Sequence, residues 1–199
     1  MFVVIEGIDG SGKSTLAKAL ADRLGPSRVV LTREPTDLSP WGKRLREAAI
    51  KGRLSREDEI EHFHRDRVHH LQTLVRPALA KGKVVITDRY VDSTLAYQAK
   101  DIADADKLFA KMALELDAPD LVIVLDLPAA IALKRIGKGR GAKTRFELKE
   151  TLERAKALYD SRTGGQYRHL DATKSFGEVV AEALALITTS PKFPKQPLP

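Results

Sequence analysis

Eight residues near the start of the chain, Gly7-Ile8-Asp9-Gly10-Ser11-Gly12-Lys13-Ser14, follow the pattern Gly-x-x-x-x-Gly-Lys-Ser and run on into Thr15. Glycines at these positions let the backbone turn tightly with its N–H groups facing inward. Those groups, together with a positive helix end, bind phosphate oxygens. A lysine at the position of Lys13 reaches the β- and γ-phosphates of a nucleoside triphosphate such as ATP, and the Ser14 hydroxyl can ligate Mg2+. The pattern carries weight when it joins a strand to a helix. Here the apolar run Phe2–Ile5 precedes it and a helical pattern opens at Lys13. The loop fixes a nucleotide-binding class but not a reaction, because kinases, GTPases and motor ATPases all use it.

A second group narrows the class. The apolar run Lys83–Thr87 ends in Asp88-Arg89-Tyr90. Ligands of open α/β sheets bind at the carboxyl ends of the strands, so Asp88 and Arg89 are expected beside the phosphate loop. Asp88 is a candidate Mg2+ ligand, direct or through water, and Arg89 a candidate phosphate clamp. No Asn/Thr-Lys-x-Asp guanine-reading motif is present, and the chain is small for a helicase or motor. A small kinase with a second substrate remains.

The elements that must position these groups alternate along the chain. Strand candidates are Phe2–Ile5, Arg28–Leu31, Lys83–Thr87, Leu121–Leu125 and Tyr167–Leu170. Helical patterns cover Lys13–Leu24, Trp41–Lys51, Glu57–Leu79, Ala105–Leu116, Ala129–Ile136, Phe146–Ser161 and Phe176–Ile187, with Ser55 and Asp58 marking the start of the longest. The alternation predicts an α/β protein with a three-layer P-loop nucleoside triphosphate hydrolase-like fold, a five-stranded parallel sheet flanked by helices. Residues 1–189 read as a single kinase domain. The glycine-rich, basic stretch near 137–145 reads as a mobile lid, and 190–199, with four prolines, as a flexible tail.

Composition excludes several classes. The 199 residues hold no cysteine, which rules out disulfides and thiolate metal sites and fits a cytoplasmic protein. No run has the length and apolarity of a membrane span, and the start lacks the charge pattern of a signal peptide. The net charge of +7 suits polyphosphate substrates as well as nucleic acid. No block of consecutive basic residues points to nucleic acid as a partner. His62, His64, His69 and His70 share one predicted helix, but no pair has the i, i+4 spacing of a metal-binding face, so they read as surface or interface histidines.

The chain resembles the thymidylate kinase family over nearly its whole length, from Phe2 to about Ile187. The resemblance rests on the phosphate loop with its internal Asp9, on Thr32-Arg33-Glu34-Pro35, on Phe63 with Arg67 and on Asp88-Arg89-Tyr90. Ser93-Thr94, Ala96-Tyr97-Gln98, Pro119-Asp120-Leu121, Leu125-Asp126-Leu127-Pro128 and Asp171-Ala172 follow in the family's order. The family implies that Phe63 stacks on a thymine ring and Arg67 hydrogen-bonds its carbonyl. It implies further that Tyr97 lies under the deoxyribose, and that Ser93, Thr94 and Gln98 contact the base or its surroundings. Arg89 and, through Mg2+ or water, Asp9 are implied at the acceptor phosphate, with Pro35 and Arg33 nearby. Gly10 stands where one variant of the family carries an arginine. The resemblance is therefore to the lid-arginine type, with Arg140 and Arg145 as catalytic candidates and Arg135 adjoining them. Thr144 replaces the usual lid aspartate. A homodimer packed through helices is implied, with Glu57–Leu79 as the candidate face.

The expected reaction is in-line transfer of the ATP γ-phosphoryl to thymidine monophosphate, with Lys13 and the lid arginines offsetting charge on the transferring group. The rivals are a related kinase acting on another pyrimidine nucleotide or a deoxynucleoside, a nucleic-acid-stimulated ATPase, and a catalytically weak homologue that binds nucleotide without turnover.

Overall fold

The structure is a computed structural model that describes residues 1–52, 54–137 and 145–195, with the side chains of 145–147 not included. In chain order it contains β1 (Phe2–Gly7), α1 (Lys13–Leu24), β2 (Val29–Arg33), α2 (Pro40–Lys51), α3 (Arg56–His70), a π-helical turn (Leu71–Val75) and α4 (Arg76–Ala80). There follow β3 (Val84–Asp88), α5 (Val91–Gln98), α6 (Ile102–Met112), β4 (Leu121–Asp126), α7 (Ala129–Ile136), α8 (Arg145–Ser161), β5 (Tyr167–Asp171) and α9 (Phe176–Thr188). The five strands are parallel in the order β2-β3-β1-β4-β5.

Burial explains which strands are central. Every residue of β1 and β3 is buried, as are five of the six in β4, whereas β2 and β5 alternate with exposed residues. Strands covered on both faces need continuous apolar runs, and edge strands do not. Helices α1 and α9 cover one face; α4, α5 and α8 cover the other. The register sets Ile5 opposite Asp88 and Arg33 opposite Asp88, so the carboxyl ends of β1, β2 and β3 meet at one edge of the sheet.

Three local features depart from the expected elements. The long helix expected over Glu57–Leu79 is interrupted by the π-helical turn, in which the Arg76 N–H donates to the Leu71 carbonyl. Pro77 is the physical reason. Its ring has no N–H to offer and would press on the carbonyl four residues back, at Thr73, and a widened turn relieves that clash. Helix α5 was not announced by any period, because seven of its eight residues are buried and no polar stripe remains. In the tail expected to fray, Phe193 packs on the core, the Arg28 guanidinium lies 4.9 Å from its ring centroid, and Arg28 Nη2 donates to the Pro194 carbonyl at 2.9 Å. This part of the tail is thus held on the body.

Candidate active site

The phosphate loop starts where β1 ends. Gly12 caps α1 in the left-handed region, at φ 101°, and no side chain bonds to the first-turn N–H groups, which stay available to an anion. Gly10 has φ 83°, and a Cβ there would meet the Ala132 carbonyl oxygen at 2.9 Å and Ile136 Cγ1 at 3.1 Å. The close approach of α7 therefore leaves no room for a side chain at the loop position where an arginine is the alternative. Lys13 is buried and its Nζ donates to the Ile8 carbonyl at 2.9 Å. Burial, then the nearby Arg89 charge, pushes its pKa down to about 8.

Beside the loop, the Ser14 hydroxyl contacts Asp88 Oδ2, while buried Asp88 Oδ1 has no hydrogen-bond partner among the described residues. A hydroxyl and a carboxylate with a spare oxygen form a hard donor set that suits Mg2+ completed by phosphate and water oxygens. Among the described residues no group of three or more His, Cys, Asp or Glu side chains could hold a metal by itself.

Arg89 follows Asp88 with φ 78°, which is uncommon for a residue with a side chain. Several bonds hold it there. Its own N–H donates to the Ile5 carbonyl at 3.0 Å. Glu6, fully buried at the end of β1, accepts from the Tyr90 N–H at 2.8 Å and the Ser93 N–H at 3.1 Å. It also accepts from the Ser93 hydroxyl at 2.7 Å and the Tyr159 hydroxyl at 2.9 Å. Burial, then the neighbouring Asp92, raises the Glu6 pKa to about 7. Arg89 Nη1 in turn donates to Ser93 Oγ at 3.0 Å, and its Nη2 pairs with Asp9 Oδ1. The guanidinium lies 5.5 Å from the Tyr97 ring centroid, and the Tyr97 hydroxyl accepts from the Asp9 N–H at 2.9 Å.

A cleft of about 420 Å3 opens from this pair. Asp9, Pro35, Phe63, Arg67, Arg89, Ser93, Thr94, Tyr97 and Gln98 all line it, so residues spread over ninety positions of sequence come together in one cleft. Two details differ from the expectation. The Ser93 and Thr94 hydroxyls point into the protein: Ser93 donates to Glu6, and Thr94 Oγ1 accepts from Arg67 Nη2 at 2.9 Å. Arg33 lies outside the cleft, paired with Asp37 at 3.3 Å on the surface.

Arg67 is only 1% exposed. Its Nε donates to Glu34 Oε2 at 2.7 Å and its Nη2 to the Tyr90 carbonyl at 3.1 Å, but Nη1 has no partner among the described residues. The other Glu34 oxygen faces His70 Nδ1 at 3.1 Å, and His70 Nε2 lies 2.8 Å from Thr32 Oγ1. His70 is therefore completely buried, which corrects its reading as a surface or interface histidine. Its neighbours His62, His64 and His69 are half-buried on the outer side. The segment carrying Glu34 is fastened by Asp66, which accepts from the Thr36 N–H at 2.7 Å, the Thr36 hydroxyl at 2.6 Å and the Ser39 hydroxyl at 2.5 Å.

On its other side the loop borders a second cleft of about 210 Å3, lined by Ser11, Gly12, Thr15, Arg135, Lys174 and Phe176 among others. Arg135 donates to the Ala172 carbonyl at 3.0 Å. Arg140 and the side chain of Arg145, with most of the expected lid, lie outside the described residues. Glu6, Glu34 and His70 were missed from sequence. The signal available for Glu6 was a charged residue closing an otherwise apolar strand; for His70 it was the three-residue spacing from Arg67, which shares its helix face.

Comparison with known proteins gives consistent results. A family model described as thymidylate kinase matches residues 5–183. A protein of Xanthomonas campestris pv. campestris (strain B100) named thymidylate kinase is 40% identical over 192 residues, covering 96% of this chain and 84% of that relative. One from Xanthomonas euvesicatoria pv. vesicatoria with the same name is 41% identical over 192 residues, with the same coverage. A third, from Xylella fastidiosa, is 40% identical over 189 residues, covering 94% of this chain and 90% of the relative.

Proposed function

The chain belongs to the thymidylate kinase family, and from that premise we propose that it transfers the γ-phosphoryl of ATP to the 5′-phosphate of thymidine monophosphate, giving the diphosphate. The observation that carries the reading is that one loop serves two clefts. It gives Asp9 to the larger cleft and Ser11 and Gly12 to the smaller, so two substrates would meet across Lys13. We read residues 1–189 as one kinase domain because both clefts draw on the same sheet.

In this reading the smaller cleft takes the donor nucleoside, with Thr15, Arg135 and Phe176 around it. The free N–H groups of the loop and of the α1 start bind the donor phosphates, and Lys13 exchanges the Ile8 carbonyl for a phosphate oxygen. Ser14 and Asp88 would hold Mg2+, whose chemistry there would be to offset the negative charge of the donor phosphates. The acceptor lies in the larger cleft with its base between Phe63 and Arg67 and its sugar on Tyr97. Its phosphate competes with Asp9 for Arg89, which holds it in line. Gln98 Oε1, buried and without a partner among the described residues, is a further acceptor of hydrogen bonds at the base. Arg140 and Arg145 are proposed to supply the remaining positive charge from the lid. The acceptor phosphate is already a competent nucleophile, so positioning and charge stabilisation suffice.

The test is direct. The purified protein is incubated with ATP, Mg2+ and a panel of nucleosides and nucleoside monophosphates, and ADP and phosphorylated products are measured. Preferential thymidine diphosphate is expected; ADP without a phosphorylated product would overturn the reading. For assembly, we propose a homodimer through the outer face of α3, where Trp41, His64, Arg65, Val68 and His69 line a groove of about 370 Å3. Light scattering on the purified chain tests it: twice the chain mass is expected, and a monomer at working concentration refutes it. No helix among the described residues is long and apolar enough to cross a membrane. The cysteine-free composition supports the cytoplasm as the place of action.

A further inference from the structure

Behind Arg67, which would meet the acceptor base, lies a chain of side chains with no part in the function proposed so far: Glu34 after β2, His70 at the end of α3 and Thr32 on β2. Thr32 Oγ1 is 2.8 Å from His70 Nε2, His70 Nδ1 is 3.1 Å from Glu34 Oε1, and Glu34 Oε2 accepts from Arg67 Nε at 2.7 Å. A carboxylate only accepts, so Nδ1 carries a proton toward Glu34, and the Thr32 hydroxyl, which can donate or accept, meets Nε2 on the other side of the ring. The Glu34, His70 and Arg67 side chains are each 1–2% exposed.

This arrangement fixes the guanidinium at two of its three nitrogens. Glu34 holds Nε, and the Tyr90 carbonyl and Thr94 hydroxyl hold Nη2, while the ring of Tyr90 lies 5.3 Å away. Nη1 is buried with no partner among the described residues, on a side chain that lines the cleft. A buried donor without a partner carries a desolvation cost until a ligand acceptor meets it. A base carbonyl removes that cost; an exocyclic amine in its place leaves two donors facing each other. The selectivity depends on Nη1 staying aimed, and among the described residues it is His70 that fixes the second oxygen of Glu34.

We propose that His70 is a positioning residue for base selection, holding Glu34 and through it Arg67 so that Nη1 discriminates a carbonyl from an amine on the acceptor base. The inference rests on the larger cleft being the acceptor site. His70 itself touches no substrate, so its effect should fall on the choice between acceptors and not on the transfer step.

The two ring nitrogens can be separated by substitution. An asparagine amide nitrogen falls where Nδ1 lies, and a glutamine amide nitrogen where Nε2 lies. His70→Asn thus keeps the donor to Glu34, and His70→Gln loses it. The measurement is kcat and KM for thymidine and deoxycytidine monophosphates, with the ATP KM beside them. His70→Gln is expected to lower the thymidine-to-deoxycytidine ratio of kcat/KM by about tenfold, through the thymidylate KM, with kcat and the ATP KM changed by less than about threefold. His70→Asn is expected to keep the ratio. Thr32→Val, which leaves His70 in place, should lower it by about threefold and gives an answer even if His70→Gln does not fold. Equal ratios for His70→Asn and His70→Gln, or an unchanged ratio in Thr32→Val, overturn the proposal. Arg67→Gln is the control for the underlying reading: if it leaves the ratio unchanged, the acceptor site itself is wrongly placed. If it collapses the ratio while the His70 variants do not, only the role of His70 fails.

Discussion

Each end of the larger cleft is built on an arginine–carboxylate pair, and the two pairs differ in burial. At the base end, Arg67 and Glu34 are 1% and 2% exposed, and both Glu34 oxygens are hydrogen-bonded. At the phosphate end, Arg89 and Asp9 are 22% and 29% exposed. A buried pair cannot open without stranding a charge, so it behaves as a fixed part of the wall. A partly exposed pair can exchange its partner when a phosphate takes the carboxylate's place, because the guanidinium is never left without an anion. The first pair therefore suits recognition of an unchanging group such as a base edge. The second suits a guanidinium that must release a carboxylate and take up a phosphate in each turnover.

The largest expected effect tests the exchangeable pair. Arg89→Ala should reduce turnover by about 1,000-fold, as loss of a phosphoryl-clamping arginine does, while leaving the unfolding midpoint within a few degrees. Near-normal steady-state rates in this variant would remove its assigned role. Arg67→Ala is expected to do the reverse in kind: it strands Glu34 and should lower unfolding free energy by about 3–5 kcal/mol, measured by urea titration. Equal stability losses in the two variants would show that burial does not separate the pairs.

The sequence exposed one side of this contrast better than the other. The phosphate loop was legible because the chemistry of wrapping backbone N–H groups around phosphate demands glycine and lysine at fixed spacing. Asp88 and Arg89 were legible because a polar pair closing an apolar strand lands at the site in a parallel sheet. The central strands could be read for the same reason, since covering both faces forces continuous apolar runs. The supports were hidden because their partners are remote. Glu6 is stable as a buried carboxylate only with donors such as Tyr159, 153 positions away. His70 looked like one of a set of four until burial singled it out. Helix α5 has no exposed face to produce a period.

Glu6 gives the third test, because it holds the backbone on which Arg89 stands. Its pKa in the folded chain is about 7, above its ordinary value of 4.5. A carboxyl raised in this way favours the folded state while protonated, so its contribution is full below about pH 4.5 and is lost as pH rises through 7. Glu6→Gln removes that titration. The parent should lose on the order of 1–3 kcal/mol from this group between pH 5 and 8, and the variant should show a flatter profile across the same window. A parent profile that is already flat would refute the assignment, and an effect on Arg67-dependent base choice would place Glu6 at the wrong end of the cleft.

The smallest effect sharpens the contrast from the phosphate end alone. Lys13 is pushed down to a pKa of about 8 by burial and then by the Arg89 charge, even though Asp9, Asp88 and Glu6 pull the other way. The two cations are thus held together before any phosphate arrives, and the base end has no counterpart to this. Only the protonated lysine attracts an anion, so affinity for a non-hydrolysable ATP analogue should decline above pH 8, by about tenfold for each further unit at most. Calorimetric titration at several pH values would show it. Arg89→Gln withdraws the neighbouring charge and should move the decline to higher pH, whereas Arg67→Gln should leave it in place. If both variants move it alike, the two ends of the cleft are electrostatically one site. If only Arg89→Gln does, the phosphate end keeps its own charge balance, independent of the wall that reads the base.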